Sequence, residues 1–194
     1  MTKDNIIHVA LRLFLQRGYK YVSLVDVAAE AGITKGGIYH YFSSKEDLLY
    51  TAVHYLFDRI EAKYIDVFSR DGSLQQALYS MLVERELEVY ARDLLGMEQG
   101  DYRENHASFI LEVMNHFPKM QERIDRSHMT VCKAIGAKLQ AAMGQGEIRP
   151  QTDTHALAVM ILAMLNGQIS LGEKLNSPEI RKLMTENLWR LICA

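Results

Sequence analysis

Residues 23–45 read Ser-Leu-Val-Asp-Val-Ala-Ala-Glu-Ala-Gly-Ile-Thr-Lys-Gly-Gly-Ile-Tyr-His-Tyr-Phe-Ser-Ser-Lys. Ser23 has Asp26 three residues on, the capping-box spacing with a shorter acid, so a short helix is expected over 24–31 with Gly32 as its stop. Ile33 turns back toward a core, and Thr34 is placed to cap a second short helix that holds Lys35, Tyr39, His40 and Tyr41. Helix, glycine-containing turn, helix is the helix-turn-helix pattern. In that motif the second helix enters the major groove with its N-terminal residues against the bases. Ile38 and Phe42 fall at i, i+4 and take the inward face, which turns Tyr39 and Tyr41 outward.

Gly36-Gly37 sits in the first turn of that second helix. Each glycine costs about 1 kcal/mol against alanine in a helix interior, so a short helix does not carry two for its own stability. Their small size lets the backbone approach another surface, and the free N–H groups of a helix N-terminus bind phosphate. Tyr39 and Tyr41 add hydroxyls on rigid rings, while Lys35 and Lys45 add charge. These groups suit phosphate positioning more than base reading. Lys35 is the best candidate for a base edge, since lysine pairs with guanine O6 and N7. His40 is read as a phosphate-side or solvent residue.

Outward from this stretch, apolar residues recur at three and four. Ile6, Ile7, Ala10, Leu11 and Phe14 mark a first helix that Gly18 ends. A long helix is expected over about 45–69, and one helix over 73–95 carrying Leu74, Leu78, Met81, Leu82 and Val89. A shorter one holds Phe109, Ile110, Val113 and Met114; another long one runs from Met120 to Ala142. The last two cover about 152–172 and 178–193, with Ser177 and Pro178 as cap and first position of the final helix. Pro118 is placed to start a helix in the same way. Ser44 and Ser73, with Asp47 and Gln76 three residues on, repeat the capping spacing. The one alternating stretch, 19–27, is interrupted by Ser23 and Asp26, so the fold class is all-α.

The 194 residues are 48% hydrophobic with a net charge of −2, which excludes a disordered chain. Two cysteines, Cys132 and Cys193, are too few for a disulfide scaffold and read as reduced thiols of a cytoplasmic protein. The longest apolar run, 156–165, is too short to span a bilayer. The N-terminus carries Asp4 and no long apolar stretch, so no signal peptide is expected. The charge hides a sign split: residues 1–50 carry 6 Lys and Arg against 5 Asp and Glu, and the remainder 16 against 19. With so few cations, neutral donors must do much of the phosphate positioning in any DNA complex.

The stretch 28–48, from Ala28-Ala29-Glu30-Ala31-Gly32-Ile33-Thr34-Lys35 to Glu46-Asp47-Leu48, resembles the DNA-binding signature of the TetR (tetracycline-repressor-like) family, and Phe14, Gly18, Tyr19 and 24–28 also fit. The resemblance covers roughly the first quarter of the chain. It implies a homodimeric bacterial transcriptional regulator, usually a repressor. A three-helix DNA-binding head would occupy 1–46, and a helical ligand-binding and dimerisation domain 47–194. The head would bind a palindromic double-stranded operator, and a small-molecule effector would release it. Carried over position by position, DNA contacts fall on Thr34, Lys35, Gly36, Gly37, Tyr39, His40, Tyr41 and Lys45, with Ser23 and Leu24 at the start of the supporting helix. One departure is the second glycine, Gly37, where a hydroxyl residue is common; it shifts specificity toward Lys35 and Tyr39. The family's last two long helices pair the subunits, which places the dimer interface on Ala156, Val159, Met160, Ala163, Leu183, Asn187, Trp189 and Leu191.

The run 156–165 is apolar on all faces, as in a helix buried all round, here by its own domain on one side and by a partner on the other. Trp189 is placed on the other side of the last helix from Leu188 and Leu191, as an interface anchor or a half-buried core residue. Effector candidates are Met81, Arg85, Tyr90, Phe109, Met114, His116, Phe117, Met160, Met164 and Asn166, a set suited to a hydrophobic or aromatic molecule. The run 84–88 is read as a solvated charged face; if Arg85 or Glu88 points inward, it sets the effector's charge preference. Glu112/His116 and His128/Cys132 are i, i+4 pairs of metal-ligand type, but such pairs arise by chance, and no metal or cofactor is expected. No phosphate-binding loop, nucleophile elbow or H-E-x-x-H occurs, so the chain is not read as an enzyme. The competing reading is an all-α protein-interaction module without DNA binding.

Overall fold

The computed structural model describes residues 3–193, and of the side chains at 99–107 and 173 nothing is described. The helices are α1 (Lys3–Arg17), α2 (Leu24–Glu30), α3 (Lys35–Tyr41), α4 (Lys45–Ser69), α5 (Leu74–Leu82), α6 (Glu86–Leu95), α7 (Gln99–His116), α8 (Pro118–Gly144), α9 (Thr154–Ser170) and α10 (Pro178–Ile192). Short 3₁₀ turns occupy Tyr19–Tyr21 and Glu173–Leu175, and an antiparallel bridge joins Ile148 to Cys193. No helix among the described residues is long and apolar enough to cross a membrane.

Helix starts follow their caps. Ser23 and Ser73 close capping boxes with Asp26 and Gln76. Ser177 caps α10, with Pro178 in its first turn. Ser44 caps α4 through the Asp47 N–H, but the Asp47 carboxylate reaches back to Ser43 instead. Gly18 ends α1 with a φ of 80°, a left-handed conformation that glycine adopts without steric cost.

Three expectations are corrected. The helix around Phe109 is not short; it starts at Gln99. The single helix over 73–95 is two helices, broken at Val83–Arg85 where Arg85 adopts a φ of 59°. The residues Glu84 to Glu88 are accordingly no uniform solvated face: Arg85 and Glu88 are both buried, and their side chains form an ion pair. In the single chain α9 is covered on one side, and the side expected to face a partner is open. Leu157, Ala158, Ile161, Leu162 and Leu165 face the core, whereas Ala156, Val159, Met160 and Ala163 are exposed.

The chain forms two compact units, one of residues up to Arg59 with Tyr90–Ile124, the other of Ile60–Val89 with residues from Asp125 onward. In the first unit α7 packs on α1. Its core includes Leu11, Phe14, Ile38, Phe42, Leu48 and Leu49, all essentially inaccessible to solvent. In the second unit, Tyr64, Leu78, Leu82, Ile135, Leu139 and Ile161 belong to one apolar cluster, and α5 packs on α10. Burial pushes the Tyr64 hydroxyl well above the ordinary phenol range. Trp189 packs half-buried against this cluster with Leu188, while Leu191 is exposed; the grouping of Leu188 with Leu191 does not hold.

Candidate nucleic-acid interface

The supporting helix α2 is fixed at its start by reciprocal bonds. The Asp26 N–H donates to Ser23 Oγ at 3.2 Å, and the Ser23 N–H and Oγ–H donate to Asp26 Oδ2 at 2.8 and 2.7 Å. The Ser23 side chain and backbone hydrogen bonds hold the Asp26 carboxyl below its usual range. After α2, Gly32 takes a φ of 69°, and the Ile33 N–H returns to the Ala28 carbonyl at 2.9 Å. Thr34 then caps α3, its Oγ1 accepting from the Gly37 N–H at 3.1 Å. The turn between the helices is thus set by one left-handed glycine and one hydroxyl cap.

Packing decides what α3 presents. Ile38 and Phe42 are fully buried and α2 packs against α3, so the helix cannot roll without exposing them. Thr34, Lys35, Gly36 and His40 are exposed, Tyr39 keeps 50% and Tyr41 40% of its surface, and Gly37 is half-buried. The rings of His40 and Tyr41 meet edge-on at 5.4 Å. The glycines differ. A Cβ on Gly36 would meet only Thr34 Oγ1, at 4.0 Å, whereas one on Gly37 would lie 3.3 Å from that oxygen. The head's own packing accounts in part for Gly37 and not at all for Gly36.

Other expected contact residues are more constrained. The Leu24 side chain is buried, so only its backbone is available, and the Ser23 hydroxyl is engaged by Asp26. The Lys45 ammonium lies 4.1 Å from the centroid of the Tyr19 ring and donates to the Lys20 carbonyl at 3.4 Å. Partial burial lowers its pKa. This cation helps to build the head as well as lending it charge.

The turn that feeds α2 is anchored from α7. Glu112 accepts from the backbone N–H groups of Tyr19 and Lys20, and Phe117 meets Tyr19 edge-on at 5.1 Å. Glu112, considered above as a metal-type residue, is thus engaged with backbone. His116 is exposed, with Nδ1 2.9 Å from the Glu112 carbonyl, and His128 is exposed on α8. Sequence reasoning missed Lys20 and Tyr21, which lie beside the start of α2. Tyr21 is 76% exposed, with the Lys20 ammonium 5.9 Å from its ring centroid. An aromatic–basic–aromatic triplet just before the Ser23 cap was the available signal.

The effector candidates lie on both units. Met81 and Arg85 are buried and Met164 half-buried in the second; Phe109 and Phe117 are buried and Tyr90 and Met114 half-buried in the first. His116, Met160 and Asn166 are exposed. Of the dimer candidates, Ala156, Val159, Met160 and Ala163 on α9 and Leu183, Asn187 and Leu191 on α10 are exposed, and Trp189 is half-buried.

Residues 6–51 match the family model described as bacterial regulatory proteins, tetR family. The HTH-type transcriptional regulator YerO of Bacillus subtilis (strain 168) is 27% identical over 198 residues, covering 98% of this chain. YuxN of the same organism is 36% identical over 77 residues, or 40% of this chain. The matched part spans 64% of YerO and 26% of YuxN, less than two thirds of either. Among solved structures, reduced Escherichia coli NemR superposes with a TM-score of 0.77 at 17% identity, covering 97% of this chain and 96% of that one. A transcriptional regulator from Saccharomonospora viridis in complex with choline gives 0.76 at 21% identity, covering 98% and 96%. At these identities the structures speak for the fold.

Proposed function

The chain belongs to the TetR family of bacterial transcriptional regulators, and from that premise we propose that it acts as a homodimeric repressor released from a palindromic operator by a small hydrophobic or aromatic effector. The outward surface of α3 carries the reading: Ile38 and Phe42 are locked inward while Lys35, Tyr39, His40 and Tyr41 are exposed around a Gly36 that the head's own packing does not require.

In this reading the bare backbone at Gly36 and Gly37 lets α3 sit deep in the major groove. Lys35 reaches a base edge, and Thr34, Tyr39, His40 and Tyr41 engage the backbone or neighbouring bases. Lys45, Ser23 and the Leu24 N–H hold phosphates at the groove's margin. Two heads engage successive major grooves about 34–36 Å apart, which requires a dimer. The exposed apolar residues Val159, Met160, Leu183 and Leu191, with Ala156, Ala163 and Asn187, supply a self-complementary face on α9 and α10. Trp189, half-buried against its own core, stands at the margin of that face.

The effector acts by population shift, binding better to dimers whose heads are misplaced for the operator. Buried Arg85 and Glu88 are the charged groups available to set its polarity, alongside Met81 and Met164. A structural neighbour in complex with choline is a reason to include small organic cations in any effector screen. Mobility-shift titration of DNA upstream of the chain's own gene, repeated at rising salt, tests the proposal. Salt-sensitive retardation lost in the Lys35→Ala, Tyr39→Ala double variant is expected. No retardation of any upstream fragment favours a protein-interaction module.

A further inference from the structure

A cavity of about 150 Å³ lies between α5 and α10 in the second unit. Leu78, which is fully buried, lies at its base; Trp189 and Tyr79 give it aromatic walls; Gln75, Lys182 and Glu186 stand at its solvent side. None of these residues is among the effector candidates carried over from sequence. The polar ends of Gln75, Tyr79, Lys182, Glu186 and the Trp189 indole have no hydrogen-bond or ion-pair partner among the described residues. An apolar recess with a few convergent, unengaged polar groups is the usual make-up of a small-molecule site.

We propose that this cavity binds a neutral, single-ring aromatic molecule carrying a hydroxyl group. The volume sets the size, because an apolar cavity of about 150 Å³ accommodates a benzene-sized ring. The walls set the class, since Trp189 and Tyr79 offer ring faces and edges to an aromatic guest. The solvent side sets the charge. Lys182 and Glu186 carry opposite charges at the same side, so a guest of either sign gains no net attraction while it loses hydration on entering, and a hydroxyl finds both a donor and an acceptor. The site needs no DNA for its occupancy.

Trp189 is the chain's one tryptophan, so its emission reports on this cavity without labelling. Phenol titrated into the full-length protein is expected to change that emission saturably. Benzoate and benzylammonium are expected to bind roughly ten-fold more weakly. Gln75→Phe places a ring at the mouth and should abolish the saturable change while leaving helical circular dichroism intact. Glu186→Gln, on a partly exposed side chain that the fold does not use, should strengthen benzoate binding several-fold and leave phenol unchanged. Linear, unsaturable quenching by phenol overturns the site, as does saturation that survives Gln75→Phe in a folded protein. Charged guests binding as tightly as phenol overturn the ligand class.

Discussion

The Glu112 carboxylate accepts a hydrogen bond from the backbone N–H of Tyr19 at 3.0 Å, 93 residues away in sequence, and a second from Lys20 at 3.3 Å. It fixes the turn that delivers the chain to Ser23 and the start of α2. Removing the acceptor leaves a partly buried N–H unpaired, at a cost of about 1–3 kcal/mol. Glu112→Ala should lower the denaturant midpoint accordingly, and Glu112→Gln, which keeps one acceptor oxygen, should lose less. Equal midpoints for Glu112→Ala and wild type would show that the anchor carries no stability.

Gly36 separates stability from function. Its Cβ position is open and its φ is helical, so Gly36→Ala should stabilise the head by up to about 1 kcal/mol. The same methyl would stand between α3 and the groove and weaken operator binding. Gly37→Ala places its Cβ 3.3 Å from Thr34 Oγ1 and should gain less, because the cap must shift. Thermal unfolding and operator titration of both variants check the opposed signs; a Gly36→Ala protein that binds DNA as wild type removes the close-approach argument.

Acid sensitivity has an identifiable source. Glu86 receives Arg70 at 2.6 and 2.9 Å and Lys63 at 2.6 Å, with Ser80 also donating. These partners, Arg70 foremost, hold its pKa at about 2. A carboxyl whose pKa is lower when folded contributes stability that is present above the unfolded value, about 4.3, and is lost as pH falls toward 2. Urea unfolding at stepped pH should show wild type losing stability across that window and Glu86→Gln, weaker at neutral pH, converging on it in acid. A constant gap between the two proteins at all pH values would assign the acid loss elsewhere.

The exposed face of α9 and α10 makes a prediction about assembly. Met160 keeps 58% and Leu183 53% of its surface in the single chain, so charges there cost the protomer little. Met160→Glu with Leu183→Glu should give folded monomers by sedimentation at concentrations where wild type is dimeric. A double variant that remains fully dimeric moves the interface off this face.

What could be read from sequence was local. Ser23, Thr34 and Ser177 each cap the helix that follows them because capping spacing is a three-residue property. Ile38 and Phe42 are buried as their i, i+4 spacing requires. The break at Val83–Arg85 was not legible, because the run Glu84-Arg85-Glu86 contains no glycine or proline and the left-handed φ falls on an arginine. Arg85, in the break, and Glu88, in the first turn of α6, are buried as an ion pair. Periodicity alone shows no face on α9, because Val159 and Met160 are as apolar as their buried neighbours; the outward set Ala156, Val159, Met160 and Ala163 came from the family resemblance. Glu112 and Tyr19 were read separately, since nothing local links residues so far apart.

The central claim is that residues 34–41 grip DNA with few cations and many neutral donors. The most direct test is the salt dependence of binding to the upstream operator by fluorescence anisotropy, with wild type and Lys35→Ala, Tyr39→Ala side by side. At about −0.9 per phosphate neutralised, the account predicts a log–log slope of roughly −3 to −6 for the wild-type dimer and loss of specific binding in the double variant. A slope near −10, or full affinity in the double variant, would contradict it.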